Sequence, residues 1–267
     1  MRSRAVLALA LSLVLLLTGC GKPGKTPHQA GGSPAAASPT PTRAPTPTPT
    51  PTPRPSRTTP PKPKLRPLPK NLPAGLHRGS GARGVALTFD DGPDPRYTPQ
   101  ILDQLRAAHV TATFCLVGKQ ARRYPELVAR IVREGHQLCN HSWRHDLNLG
   151  RRPVAEIKAD LVRTNQAIRD AVPDAEITWF RQPGGRWTAE EVAVAEKLGM
   201  RPLHWSVDPQ DWNHPKAKTI IKRVEASARP GSIVLMHDAG GDRSQTMAAC
   251  RHLIPDLKRR YGIVRLG

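Results

Sequence analysis

From residue 85 onward, short apolar runs alternate with amphipathic segments, and this alternation restricts the chain to few architectures. The runs lie at 85–89, 112–117, 136–139, 177–180, 202–207, 232–236 and 262–266. Helical periodicity fills the gaps at 98–109, 124–134, 153–171, 189–199, 216–228 and 245–260. Continuous apolar runs of this length read as strands buried on both faces, with helices covering them. Repeated βα units predict an α/β fold, a parallel sheet with right-handed crossovers. Seven such strands predict a barrel-like, incompletely closed sheet. Local signals agree: Pro125 stands in a first helical turn, Thr188 to Glu191 form a capping box, and Pro255 should kink or break the last helix.

In such a barrel, functional residues gather at the C-terminal ends of the strands. Asp90 and Asp91 end the first run, just before Gly92 and Pro93. Two adjacent acids cannot both face a dry core, because an unpaired buried charge costs too much. A cation between them, or a polar cleft, resolves the conflict. His141 and His145 follow the third run, and histidines at i, i+4 can converge on one metal. Arg181 to Gly185 follow the fourth run, Asp208, Asp211 and Trp212 the fifth, and His237 with Asp238 the sixth. Each has an ordinary reading alone: a capped turn, a solvated histidine pair, a surface arginine, a core tryptophan or core histidine. Polar groups at five strand ends together point to a site. His28, His77, His109, His136, His204, His214 and His252 join no such pattern. On an extended backbone Asp90 and Asp91 point to opposite sides, so one could bind a metal while the other stays free.

The segment before the domain reads differently. Residues 21–79 hold 17 of the 29 prolines and no Asp or Glu. Such a stretch cannot bury enough apolar surface to offset its ordering entropy, so it is expected to be a disordered, partly polyproline linker to a domain at 80–267. The domain has 29 Lys/Arg against 21 Asp/Glu, and residues 1–79 add twelve cations with no acid. A basic tail of this kind suits an anionic membrane or wall polymer. No nucleic-acid partner is expected beside the export signal in residues 1–20. There Arg2 and Arg4 precede an apolar core, 5–17, that is short for a transmembrane helix. Its end, Leu17-Thr18-Gly19-Cys20, resembles a bacterial lipobox, which implies cleavage before Cys20 and a lipid on its thiol. The alternative is an ordinary secreted signal. Cys115, Cys139 and Cys250 remain, and are expected as buried free thiols, with a 115–139 disulfide as the alternative.

Five motifs stand in order: Thr88 to Pro93, His141 to His145, Arg181 to Gly185, Asp208 to Trp212, and Leu235 to His237. They resemble those of the NodB-type polysaccharide deacetylases, carbohydrate esterase family four, over about 84–267. The resemblance implies a distorted (β/α) barrel of about seven parallel strands and hydrolysis of acetyl groups on sugar polymers. It also implies one divalent metal, usually zinc, with cobalt, nickel or manganese as alternatives. It makes Asp91, His141 and His145 the metal triad, Asp90 the catalytic base and His237 the general acid. Arg181 would pair with the base, and Asp211, or else Asp208, would support the acid. Trp212 and Leu235 would form the acetyl-methyl pocket. The third motif departs from the pattern, with Gly184 where an aromatic residue is common, although its backbone N–H can still donate to an oxyanion.

Amide hydrolysis independently needs an acidified water, an oxyanion site and a proton for the leaving amine, and this residue set supplies all three. The expected protein is an extracytoplasmic, lipid-anchored deacetylase of cell-wall glycan, acting on peptidoglycan N-acetylglucosamine or N-acetylmuramic acid. The alternatives are an acetylxylan esterase, a chitin-oligosaccharide deacetylase or a glycan-binding pseudoenzyme. A binder needs neither Asp90 nor His237.

Overall fold

Alternation within β1 (Ala86–Asp90) sorts its side chains into two layers. Leu87 and Phe89 face the helices, while Ala86 belongs to a second, inner apolar cluster with Cys115, Cys139, Trp179, Leu203 and Ile233. The same two-residue period carries Thr88 and Asp90 up the inner side toward the strand end. The computed structural model describes residues 65–267. The predicted export signal, Cys20 and most of the predicted linker lie outside the described residues.

The sheet is parallel and six-stranded: β1, β2 (Thr113–Leu116), β3 (Gln137–Asn140), β4 (Ile177–Phe180), β5 (Arg201–Pro202) and β6 (Ile233–His237), in the order β5-β4-β3-β2-β1-β6. Helices α1 (Thr98–Ala107), α2 (Gly118–Arg123), α3 (Pro125–Arg133), α4 (Val154–Ala171), α5 (Ala189–Lys197), α6 (Ala217–Ser227) and α7 (Ser244–Tyr261) accompany it. Phe89 and Phe114 stack at 5.4 Å in the outer core, fully buried. Burying one such ring stabilises the fold by roughly 1.5–3 kcal/mol.

The structure corrects several expectations. Among the described residues there are six strands rather than seven. The 262–266 run makes only a single bridge, Val85 to Ile263, before Leu266 donates its backbone N–H to the Gln137 side chain. The 202–207 run pairs with β4 only through Arg201 and Pro202. Leu203 then pairs with His77, and Val207 bridges to Val234 of β6, which curls the sheet into a half-barrel. The α2 helix was not expected, because Gly118–Arg123 has no apolar periodicity. Pro255 does not break α7, which runs through it; its buried residues Leu253, Ile254 and Leu257 flank the proline and hold that turn in the core.

Two further differences concern covalent and domain boundaries. Cys115 and Cys139 form a disulfide, not free thiols, since register places them directly opposite each other on β2 and β3 with Cα atoms 4.1 Å apart. Cys250 is free and buried. Residues 65–79, expected as linker, contact the domain. Arg66 donates to the carbonyls of Gly150 and Arg152, and His77 donates its backbone N–H to the Pro202 carbonyl at 2.8 Å.

Candidate active site

Arg181 continues the inner face one residue beyond β4 and is fully buried. Its guanidinium donates from Nη1 to Asp90 Oδ1 at 2.7 Å and to Thr88 Oγ1 at 2.8 Å, and from Nη2 to the His204 carbonyl at 3.2 Å. A buried cation is tolerable only when paired in this way. The contact orients Asp90 and leaves its Oδ2 3.6 Å from His141 Nε2.

Asp91 does not point away from Asp90, as an extended backbone required. Its φ is 77°, a left-handed conformation that swings the second carboxylate back toward the same cleft. Asp91 Oδ1 then lies 3.6 Å from His141 Nε2 and 3.3 Å from His145 Nε2. Ser142 and His145 are also left-handed, at φ 62° and 57°, so the chain between the histidines is a tight loop rather than a helix. Gly240, at φ 77°, lies on the far side of the Asp91 carboxylate: a Cβ there would stand 2.4 Å from Oδ2.

One ligand atom each from Asp91, His141 and His145 lies within 4.8 Å of the others. His141 Nδ1 donates to the Arg181 carbonyl at 2.7 Å, which directs the Nε2 lone pair to the cluster. Asp91 Oδ1 is buried and has no hydrogen-bond donor. An orphaned carboxylate oxygen facing two imidazole nitrogens fits a divalent metal, and the mixed nitrogen and oxygen set suits zinc. Burial alone would raise the Asp91 pKa, but the close His141 side chain, with the His237 and His145 charges, holds it well below the usual carboxylate range. Burial, with the neighbouring His141 charge, lowers the His145 pKa and favours the neutral ring a metal needs.

His237 ends β6 beside Asp90, its direct partner in register. Its Nδ1–H donates to Asp211 Oδ1 at 2.7 Å, and its backbone N–H donates to Asp211 Oδ2 at 2.9 Å. Thr246 Oγ1 donates to Asp211 Oδ2 at 2.9 Å. Burial disfavours the charged ring, but the Asp211 hydrogen bond and the charges of Asp211, Asp91 and Asp90 outweigh it and raise the His237 pKa to about 9. Asp208, the alternative partner, instead accepts the Gln210 N–H at 2.7 Å and lines the cleft.

These groups line one cleft of about 520 Å³ with Leu147, Gly184, Arg186, Trp205, Trp212, Leu235, Gly240 and Arg243. Trp212 is 49% exposed at the opening, and Leu235 is buried. Trp143 and Trp187 are buried and not part of its lining. Sequence reasoning missed Leu147, Arg186, Trp205, Gly240 and Arg243 as lining residues. Gly240 and Gly241 directly after the sixth strand end were the available signal. Arg243 is buried, and donates to the carbonyls of Ala239, Asp211 and Gly240, so it ties the Gly240 loop to Asp211.

A family model described as polysaccharide deacetylase matches residues 77–203. A chitooligosaccharide deacetylase from Sinorhizobium fredii is 42% identical over 199 residues, which are 70% of this chain and 91% of the relative. The solved structure of the Bc1960 peptidoglycan N-acetylglucosamine deacetylase superposes with a TM-score of 0.67 at 34% identity, covering 72% of this chain and 90% of that one. A carbohydrate esterase family four pseudoenzyme from Bacillus anthracis, BA3943, gives a TM-score of 0.66 at 30% identity, covering 72% of this chain and 67% of that one.

Proposed function

The chain belongs to the polysaccharide deacetylase family, and from that premise we propose that it is a zinc-dependent, lipid-anchored hydrolase that removes N-acetyl groups from cell-wall peptidoglycan. The observation that carries the reading is the convergence of two supported pairs, Asp90 with Arg181 and His237 with Asp211, on the cleft that holds the Asp91, His141 and His145 cluster. Since a pseudoenzyme shares the fold, side chains rather than the fold must argue activity. A binding module has no use for an oriented carboxylate and an oriented imidazole in the same cleft.

Asp91, His141 and His145 would hold the metal. When bound, the ion supplies Lewis acidity that acidifies water and polarises the acetyl carbonyl. Asp90 Oδ2, left free while Oδ1 accepts from Arg181, takes the proton of the attacking water. The Gly184 N–H, on a left-handed turn in the cleft lining, is offered to the oxyanion. His237, with a pKa of about 9, carries a proton at neutral pH and gives it from Nε2 to the departing sugar amine. Trp212 and Leu235 give the acetyl methyl an apolar wall.

Peptidoglycan is favoured by the extracytoplasmic address read from residues 1–20 and by the basic proline-rich stretch, which would hold the domain within reach of the wall. Chitin oligomers are the second reading, since a relative is named a chitooligosaccharide deacetylase. Acetate release from acetylated peptidoglycan, chitin oligomers and acetylxylan, with and without added zinc, tests the proposal. Release from peptidoglycan that a chelator abolishes and zinc restores is expected. Release from acetylxylan alone would refute it.

A further inference from the structure

We propose that Arg186 receives a carboxylate carried by the glycan, so that the cleft selects acidic amino-sugar strands, of the muramic acid kind, over neutral ones. The inference rests on the peptidoglycan reading above and names the sugar feature that the site recognises.

The cleft lining contains two arginines, Arg186 and Arg243, and Arg181, which binds Asp90, lies beneath it. Arg243 is buried and spends its donors on three backbone carbonyls. Arg186 is exposed, and among the described residues its side chain makes no hydrogen bond or ion pair. Its backbone is nevertheless held on both sides. Before it, Gly184 and Gly185 are both left-handed, at φ 66° and 65°, and the turn packs so tightly on Trp205 that a Cβ at Gly185 would stand 2.7 Å from that ring. After it, Trp187 is buried and meets Phe180 edge-on at 5.4 Å. A fixed backbone spares the cost of ordering the loop, the side chain gives up its rotamer freedom when an anion arrives, and the planar fork offsets that loss by matching a carboxylate in two hydrogen bonds.

The rest of the lining agrees. Gly184 carries no side chain, and Leu147 stands 2.9 Å from where its Cβ would be, so the wall beside it is apolar. The other acids of the lining are occupied or distant in role: Asp90 is bound to Arg181, Asp91 belongs to the metal cluster, and Asp208 accepts the Gln210 N–H. A neutral chitin oligomer would leave Arg186 unused. A strand whose stem peptides have been removed bears a free lactyl carboxylate on every second sugar and would meet it.

The test compares wild type, Arg186→Gln and Arg186→Lys, zinc-loaded, on three substrates: an N-acetylglucosamine tetramer, peptidoglycan strands stripped of their peptides, and the same strands with their carboxylates converted to amides. Removing the peptides frees the lactyl carboxyl, which is an amide where a stem peptide is attached, and also takes away the carboxylates of the peptides themselves. Wild type should prefer the acidic over the amidated strand by about 10-fold or more in kcat/KM, as a charge-assisted hydrogen bond supplies. Arg186→Gln should abolish that preference, read as the ratio of acidic to amidated strand with the tetramer as the neutral reference, and Arg186→Lys should keep part of it. Equal rates of wild type on acidic and amidated strands, or an undiminished preference in Arg186→Gln, overturn the inference. If no substrate is turned over, the proposed function fails while the inference is still decided by binding: stronger retention of acidic strands by wild type than by Arg186→Gln supports it, and equal retention overturns it.

Discussion

Asp211 holds His237 at two points, accepting its Nδ1–H at 2.7 Å and its backbone N–H at 2.9 Å. The double contact fixes both the ring orientation and the proton position, and it supplies most of the upward push on a pKa that burial alone would lower. His237 is therefore an acid at neutral pH, and the pH dependence follows. Turnover should decline as pH rises through about 9, where the ring loses its proton. The stability contribution has the same sign. It is fully present below the unfolded histidine value of about 6.5 and is lost as pH rises toward 9. In Asp211→Asn the alkaline limb of the rate profile should move to lower pH. A limb that stays in place would show that Asp211 does not set it.

Asp90 and Asp91 should separate by metal content. Asp90→Asn is expected to keep its metal and lose at least about 10²-fold in turnover, because only the proton acceptor is gone. Asp91→Asn, His141→Ala and His145→Ala should lose metal, with the activity of Asp91→Asn partly restored by excess zinc. Metal analysis beside acetate release decides the matter. An Asp90→Asn protein that is metal-free, or metal-loaded and fully active, would overturn the assignment.

Gly240 provides a test by crowding. Alanine there would place a Cβ 2.4 Å from Asp91 Oδ2 at a φ of 77° that side chains disfavour. Gly240→Ala should weaken metal affinity by displacing the Asp91 carboxylate, while the unfolding midpoint changes little beside that loss. Metal titration followed by denaturant unfolding separates the two effects.

The disulfide between Cys115 and Cys139 closes a loop of 24 residues in sequence. Chain-entropy arguments assign such a bridge about 3 kcal/mol. Reductant should lower the unfolding midpoint of wild type and leave a Cys115→Ala, Cys139→Ala variant unaffected. Equal response of both proteins would argue that the bond does not form in solution.

Location is tested at Cys20. Cys20→Ser should shift the protein from the membrane fraction to the medium or arrest its processing. Mature Cys20→Ser that stays with membranes as wild type does would refute the anchor.

Much of this fold was legible because strand and helix periods are local. A buried parallel strand is an apolar run wherever it sits, so five of the six strands were expected to within a residue or two. The polar residues brought to the cleft were legible for the same reason, since they follow apolar runs directly. The seventh strand and the long fifth strand were misread because an apolar run reports burial, not pairing. Residues 203–207 are mostly apolar, but they cross from β4 to β6. Helix α2 carries three cations and no apolar stripe, so nothing local marked it.

By itself the sequence determined the element order, the strand ends that carry chemistry, and the residue types available there. Tertiary structure alone decided how those residues face each other. The left-handed turn at Asp91 reversed the expectation for adjacent residues, because one φ near 77° outweighs the alternation of an extended chain. Which aspartate serves His237 was likewise open until Asp211 and Asp208 were placed. The disulfide depended on strand register, which sets Cys115 opposite Cys139. Each of these turns on a direction or a distance between distant segments, and such quantities are fixed by packing rather than by any local preference of the chain.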